Sequence, residues 1–154
     1  MNQKIICQNK KARHNYQISD IFETGIVLRG NEVKSLREGK GNLIDSYAII
    51  KEGEMFLLNS YIGPYSHTTN QLDYDPRRKR KLLLHKAEIR RLQGKIDEKG
   101  FSFIPLKMYF KSGKAKVEMA LAKGKRLYDK RESLKRKTLN REMEREGAIR
   151  FRRG

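Results

Sequence analysis

Phe101-Ser102-Phe103-Ile104-Pro105-Leu106-Lys107-Met108-Tyr109-Phe110, then Lys111-Ser112-Gly113-Lys114, then Ala115-Lys116-Val117-Glu118-Met119-Ala120-Leu121 is the stretch that decides the fold. The first arm is apolar and aromatic, the middle carries a Ser-Gly turn signal, and the second arm alternates. Ala115, Val117, Met119 and Leu121 share one side, with Lys116 and Glu118 on the other. Successive side chains of a strand point to opposite faces, so this reads as a hairpin with one face on a core.

Other strands follow outward from it. Tyr16 and Ile18 alternate with polar neighbours, and Phe22 to Leu28 carries Ile26-Val27-Leu28, a buried run closed by Gly30. Leu43–Ile50 and Met55–Tyr61 flank Lys51-Glu52-Gly53-Glu54, a second hairpin signal. Between these pairs, Asn31 is the expected N-cap of a short helix, Glu32 to Arg37, ended by Gly39. Val33 and Leu36 would face the core, and Lys34 and Arg37 would share another face. Leu82, Leu83 and Leu84, then Ile89, Leu92 and Ile96, predict an amphipathic helix from Lys81 onward. Residues 1–13 read as an irregular basic arm, and residues 63–80, with Tyr65, His67 and Tyr74, as a long exposed loop. The expected fold is mainly β: a small antiparallel barrel of oligonucleotide-binding type with flanking helices.

The charge divides at the end of this pattern. Lys and Arg number 36 against 18 Asp and Glu, a formal +18 in 154 residues. From Lys123 to Gly154 there are thirteen basic and five acidic residues, a net +8, which leaves +10 on the rest. Leu127, Leu134, Leu139 and Met143 are too sparse there for a core of their own. The expected organisation is therefore a barrel domain with a basic N-terminal arm over residues 1–122 and a tail over 123–154, helical only on a partner.

Such a charge calls for a polyanion. Arg77-Arg78-Lys79-Arg80-Lys81 would repel internally unless phosphates neutralised it, and Lys10-Lys11-Ala12-Arg13-His14 adds a second positive surface. A membrane surface fits poorly, because the tail lacks a bulky apolar face. No run approaches the ~20 apolar residues that cross a bilayer, and Met1 to Lys11 lacks the apolar stretch of a signal peptide. With the single Cys7 read as incidental, a reducing cytoplasmic location is expected. Enzyme signatures are missing. His14, His67, His85 and Cys7 show no metal-ligand spacing, and Gly39-Lys40-Gly41 lacks the rest of a P-loop. Asp73 and Asp75 could hold Mg²⁺ for phosphodiester cleavage, but two acids before Pro76 are also ordinary turn residues. Neither metal nor cofactor is expected.

Several motifs occur together and in order: Asn9-Lys10-Lys11-Ala12-Arg13-His14, Glu23-Thr24-Gly25, Glu32-Val33-Lys34-Ser35-Leu36-Arg37, Gly39-Lys40-Gly41-Asn42-Leu43-Ile44-Asp45-Ser46-Tyr47, Arg80-Lys81-Leu82-Leu83-Leu84, and Ala122-Lys123-Gly124-Lys125 with Asp129-Lys130-Arg131. From about residue 8 to 131 the chain resembles the SmpB family, the SsrA-binding proteins of bacterial trans-translation. The resemblance implies a barrel that binds the tRNA-like domain of transfer-messenger RNA (tmRNA, or SsrA RNA). It also implies a protein that stands in for the missing anticodon arm, delivery to stalled ribosomes by EF-Tu with GTP, and a tail laid along the empty mRNA path.

On matching positions the implied tmRNA face is Asn9, Lys10, Lys11, Arg13, His14, Glu23, Gly25, Lys34, Arg37, Lys40, Asn42, Arg77, Arg78, Arg80, Lys81, Leu83 and His85. The implied contacts with small-subunit rRNA at the decoding centre and mRNA channel are Gly124, Lys125, Tyr128, Asp129, Lys130 and Arg131, then Lys135, Arg136, Lys137, Arg141, Arg145, Ile149 and Arg150. Glu23 has two readings: an acceptor for base N–H or ribose 2′-OH groups, or a salt bridge at the barrel edge. A ribosomal structural protein is the rival within binding proteins, and an RNA-processing enzyme using Asp73 and Asp75 the rival outside them.

Overall fold

The computed structural model describes residues 3–67 and 74–124 of the 154. Its strands are β1 (Gln3–Gln8), β2 (Tyr16–Ile26), β3 (Gly41–Asn42), β4 (Tyr47–Lys51), β5 (Glu54–Leu58), β6 (Tyr61–Ile62), β7 (Arg80–Leu83), β8 (Ser102–Lys111) and β9 (Lys114–Gly124). The helices are α1 (Ala12–Asn15), α2 (Gly30–Arg37) and α3 (Lys86–Lys99).

All pairings are antiparallel. Going around, β8 pairs β4, β4 pairs β5, β5 pairs β7, β7 pairs β2, β2 pairs β9, and β9 returns to β8. The circuit closes into a barrel, with β1 added on β8. This is the mainly β, oligonucleotide-binding-type barrel that the alternation predicts. The two predicted hairpins turn as expected. Glu52 and Gly53 (φ 52° and 77°) and Ser112 and Gly113 (φ 53° and 78°) carry the paired positive φ values of a type I′ turn.

The hairpin alternation is also the core. Val117, Met119 and Leu121 are buried with Met55, Leu57, Leu82, Phe103 and Met108, joined by Leu36 from α2 and by Ile89 and Leu92 from α3. Past Glu118 the outer face is apolar too. Ala120 and Ala122 form a second buried cluster with Ala12, Ile104 and Leu106, roofed by α1 and β2. Pro105 interrupts the β8–β9 register, and a bulge is where a paired strand tolerates proline.

Five expectations about local structure are corrected. The arm is not irregular: β1 adds to the outer edge of β8, and α1 tucks Ala12 against the second cluster. Tyr16–Ile26 is one long strand rather than two short runs, because β9 pairs along most of its length. The N-cap of α2 is Arg29, two residues before Asn31, since Glu32 Oε1 accepts the Arg29 backbone N–H at 2.8 Å. Arg80–Leu83 is a strand rather than a first helical turn, and α3 starts only after His85, whose backbone N–H donates to Glu88 Oε1 at 3.2 Å. The loop after Ile62 is pinned in part, with Tyr74 donating its hydroxyl to the Ile62 carbonyl at 2.6 Å.

Candidate nucleic-acid interface

The interface is organised by a buried carboxylate. Glu32 and Arg80 are both 0 % exposed. Arg80 Nη2 lies 2.7 Å from Glu32 Oε2, and Arg80 Nε donates to the same oxygen at 2.9 Å. The remaining Arg80 donors reach the Ser60 carbonyl and hydroxyl at 2.8 and 3.0 Å and the Pro76 carbonyl at 3.1 Å. Arg78 binds the other side of the carboxylate, Nη2 to Oε1 at 2.5 Å and Nε to Oε2 at 3.2 Å. One acid on α2 thus fixes the approach of β7 and the segment before it.

Burial pushes the Glu32 carboxyl up, but hydrogen bonds from Arg78, the Arg29 N–H and Arg80, with the Arg80 charge, hold it below its ordinary 4.5. A carboxyl lowered by folding contributes stability above its unfolded pKa and loses it as pH falls through the folded value. The urea midpoint should therefore be steady above about pH 5 and fall steeply by about pH 3, measured by tyrosine fluorescence; a midpoint unchanged at the acid end would contradict the assignment.

Each side chain of the Arg77–Lys81 run has a partner inside the protein. Arg78 and Arg80 share Glu32, and Lys81 Nζ lies 2.6 Å from Glu54. Arg77 donates to the Asn59 carbonyl at 3.1 Å and sits over the Tyr61 ring, and Lys79 lies 4.5 Å from the Phe56 ring centre. Arg80 faces inward beneath β7, where no RNA can reach it, and is corrected from an RNA contact to a structural cation. Asp75 Oδ1 accepts the Arg77 backbone N–H at 3.0 Å, a turn role; Asp73 lies outside the described residues. No cluster of potential metal ligands occurs among the described residues.

Around this anchor several motif residues gather. Leu83 is 51 % exposed and pairs with Gly25 across β2–β7. A Cβ on Gly25 would stand 3.2 Å from Leu83 Cδ1, so the glycine gives the leucine room to lie across the strand. Two residues away, Glu23 accepts the Tyr109 hydroxyl at 2.5 Å and Lys111 Nζ at 3.2 Å. The Tyr109 hydrogen bond, with Lys111, holds its carboxyl below the ordinary range. The barrel-edge pair is therefore formed, while a carboxylate keeps lone pairs for further donors. On the exposed face of α2, Lys34 stands 5.6 Å from the Tyr65 ring centre and Arg37 6.0 Å from that of Phe110. Lys40 is held by Glu38 at 3.1 Å and the Pro64 carbonyl at 3.2 Å, and Asn42 Oδ1 accepts the Ile44 N–H at 2.8 Å. His85 is exposed at the start of α3.

The Asn9–His14 motif lies elsewhere. It ends two residues before Tyr16, which pairs with Gly124, whereas Gly25 lies nine positions along β2. At about 3.3 Å per residue that is on the order of 30 Å along the strand. Asn9 patches the proline bulge: its backbone N–H donates to the Leu106 carbonyl at 2.7 Å and its amide to Pro105 at 3.1 Å. Lys10, Lys11 and Arg13 are exposed and His14 is half-buried. Of the expected ribosome contacts only Gly124 is described; Lys125, Tyr128 and those after them lie outside the described residues. Glu32, Ser60, Glu54 and Tyr109 were not singled out from sequence. For Glu32 a signal existed, the need of five consecutive cations for an anion. Burial pushes the Cys7 thiol up to about 11, which keeps it protonated at neutral pH.

The family model for the SmpB protein matches residues 6–148. The chain belongs to the SmpB family. Among similar proteins, the SsrA-binding protein of Geobacter metallireducens is 59% identical over 143 residues, 93% of each chain. That of Syntrophobacter fumaroxidans is 60% identical over 142 residues, 92% of this chain and 88% of its own. A solved chain described as "tmRNA-SmpB: a journey to the center of the bacterial ribosome" superposes with a TM-score of 0.65 at 51% identity, covering 78% of this chain and 84% of its own. This SmpB-family barrel thus shares its fold with a protein studied together with tmRNA.

Proposed function

We propose that this chain binds tmRNA and acts in trans-translation, bringing that RNA to stalled ribosomes. The observation that carries the reading is identity near 60% to SsrA-binding proteins over more than nine-tenths of the chain. The surface supports it in kind. Leu83 is an exposed apolar side chain beside Gly25, Lys81 lies on the same strand β7, and α2 and the segment before β7 add Lys34, Arg37, Lys40, Arg77 and Arg78. Cations supply affinity for phosphate, and the Leu83 side chain offers a face to a sugar or base. Glu23 supplies discrimination, accepting from RNA donors while Tyr109 and Lys111 hold it in place. Asn9, Lys10, Lys11, Arg13, His14 and Asn42 extend the contact, since a structured RNA is long enough to reach both ends of β2.

The working division is a barrel unit ending at Gly124, where β9 ends, two residues beyond the boundary read from sequence, and a tail that works on the ribosome. In the tail, Lys125, Tyr128, Asp129, Lys130 and Arg131 would meet the decoding centre. Lys135, Arg136, Lys137, Arg141, Arg145, Ile149 and Arg150 would meet the mRNA channel. EF-Tu with GTP is the delivery partner in this reading, the site of action is the cytoplasm, and the chain is a binding protein rather than an enzyme. Among the described residues no helix is long and apolar enough to cross a membrane.

The test is Glu23→Ala against labelled tmRNA at fixed salt. Removing a charge-assisted acceptor should weaken binding by roughly tenfold or more, although net charge rises. Affinity unchanged or tighter, with selectivity over tRNA intact, would leave Glu23 only its bridge to Lys111.

A further inference from the structure

A second feature lies at the far end of β2 from Leu83. A cleft of about 560 Å³ opens between α1, the segment around Ser46 and the ends of β8 and β9. Its volume is in the range of sites that hold a small molecule. Its lining is mixed: Tyr16, Tyr47 and Phe101 provide aromatic surface, Asn15 and Ser46 provide amide and hydroxyl groups, and Asp45 provides a carboxylate. Tyr47 is exposed although large, and Lys123 stands 5.5 Å from the Phe101 ring centre. Lys11, on the rim, is exposed as well.

Ser46 is the telling residue. It is 4 % exposed, and its Oγ has no hydrogen-bond partner among the described residues. Its backbone N–H is satisfied by Leu43, so the hydroxyl alone is left over. The residue before it, Asp45, holds φ at 60°, a conformation that a non-glycine residue adopts at a cost in strain. A buried hydroxyl left unpaired is unfavourable, and a ligand supplying a partner would recover that cost. Aromatic faces, amide and hydroxyl groups that read an edge, and cations at the rim are the chemistry that holds a single unstacked base with its phosphate.

We propose that this cleft is a site for one unpaired nucleotide of RNA, with its base against the aromatic lining, its polar edge at Ser46 and its phosphate towards Lys11 and Lys123. The inference rests on the chain being an RNA-binding protein but assigns a site separate from the Gly25–Leu83 surface. The nucleotide could belong to tmRNA or to ribosomal RNA, and the same variant distinguishes them.

The full chain, isotopically labelled, is titrated with adenosine monophosphate and, separately, ribose 5-phosphate, then with a single-stranded RNA hexamer. Backbone signals of Ser46, Tyr47 and Phe101 should move with the nucleotide and the hexamer and not with the sugar phosphate. Ser46→Ala should melt no lower than the native chain, because it removes an unpaired buried hydroxyl, yet bind the hexamer about 5- to 10-fold more weakly. Signals at the cleft that stay still, that respond equally to ribose 5-phosphate, or hexamer affinity within twofold in Ser46→Ala would each overturn the site. Where the site stands, a matching loss of tmRNA affinity in Ser46→Ala assigns the nucleotide to tmRNA, and an unchanged one assigns it to the ribosome. Failure of the native chain to bind tmRNA would sink the proposed function while leaving the nucleotide titration to decide the cleft by itself.

Discussion

Glu32→Ala melts the barrel at least about 12 °C below the native chain. Removing one partner of a buried ion pair costs about 3–5 kcal/mol, because the other charge is left without compensation. For a domain of roughly 100 residues each kcal/mol corresponds to about 4–8 °C. Arg80 is that stranded charge, 0 % exposed and 48 positions away in sequence. Arg78 loses its partner at the same time, but it is partly exposed and can turn to water. The damage should also reach RNA binding, since Glu32 ties α2, which carries Lys34 and Arg37, to β7, which carries Leu83. The converse change is informative. Replacing Glu32 and Arg80 together by methionine should recover much of the lost stability, as apolar replacements of buried pairs do elsewhere. Urea denaturation of the two variants measures both effects. A loss below about 1 kcal/mol for Glu32→Ala would mean that the carboxylate is a bystander, at the level of an ordinary surface pair.

How much of this was legible follows from where each interaction runs. The β8–β9 hairpin was plain because Val117, Met119 and Leu121 alternate against Lys116 and Glu118 within one short stretch. The Glu52-Gly53 and Ser112-Gly113 turns were plain because turn chemistry is local. β7 was not. Arg80 and Leu82 both face inward, and a buried arginine reads as polar until its acid is known. That acid is on another element, and Leu82-Leu83-Leu84 runs straight into the helical spacing of α3. β1 escaped notice for a related reason: Gln3–Gln8 has little alternation, and only the open edge of β8 makes it a strand. Asn9 enters the RNA face through the family motif, and its structural partners, the carbonyls of Pro105 and Leu106, are 96 and 97 positions on. Glu23 keeps two readings because its partners, Tyr109 and Lys111, sit on β8, 86 and 88 positions on in sequence. The family motifs follow one another along the sequence, and only the fold separates them into a group around Gly25 and Leu83 and another around Asn9 and Gly124. The cleft at Ser46 draws on five separate segments and could not be read from any one of them.

The central claim is that RNA capture belongs to the barrel and ribosome engagement to the tail. The most direct measurement ends the chain after Gly124 and compares two quantities with the full chain: affinity for tmRNA, and peptide tagging on ribosomes stalled at the end of a message without a stop codon. Residues 125–154 carry twelve of the 36 basic residues but none of the groups placed around Leu83. Affinity at physiological salt should therefore fall by no more than about threefold, the loss of a few non-specific phosphate contacts, while tagging is abolished. Glu23→Ala in the full chain should instead lower both quantities together, with tagging falling only as far as tmRNA binding does. Loss of tmRNA binding on truncation, or tagging that survives it, would contradict the division of labour.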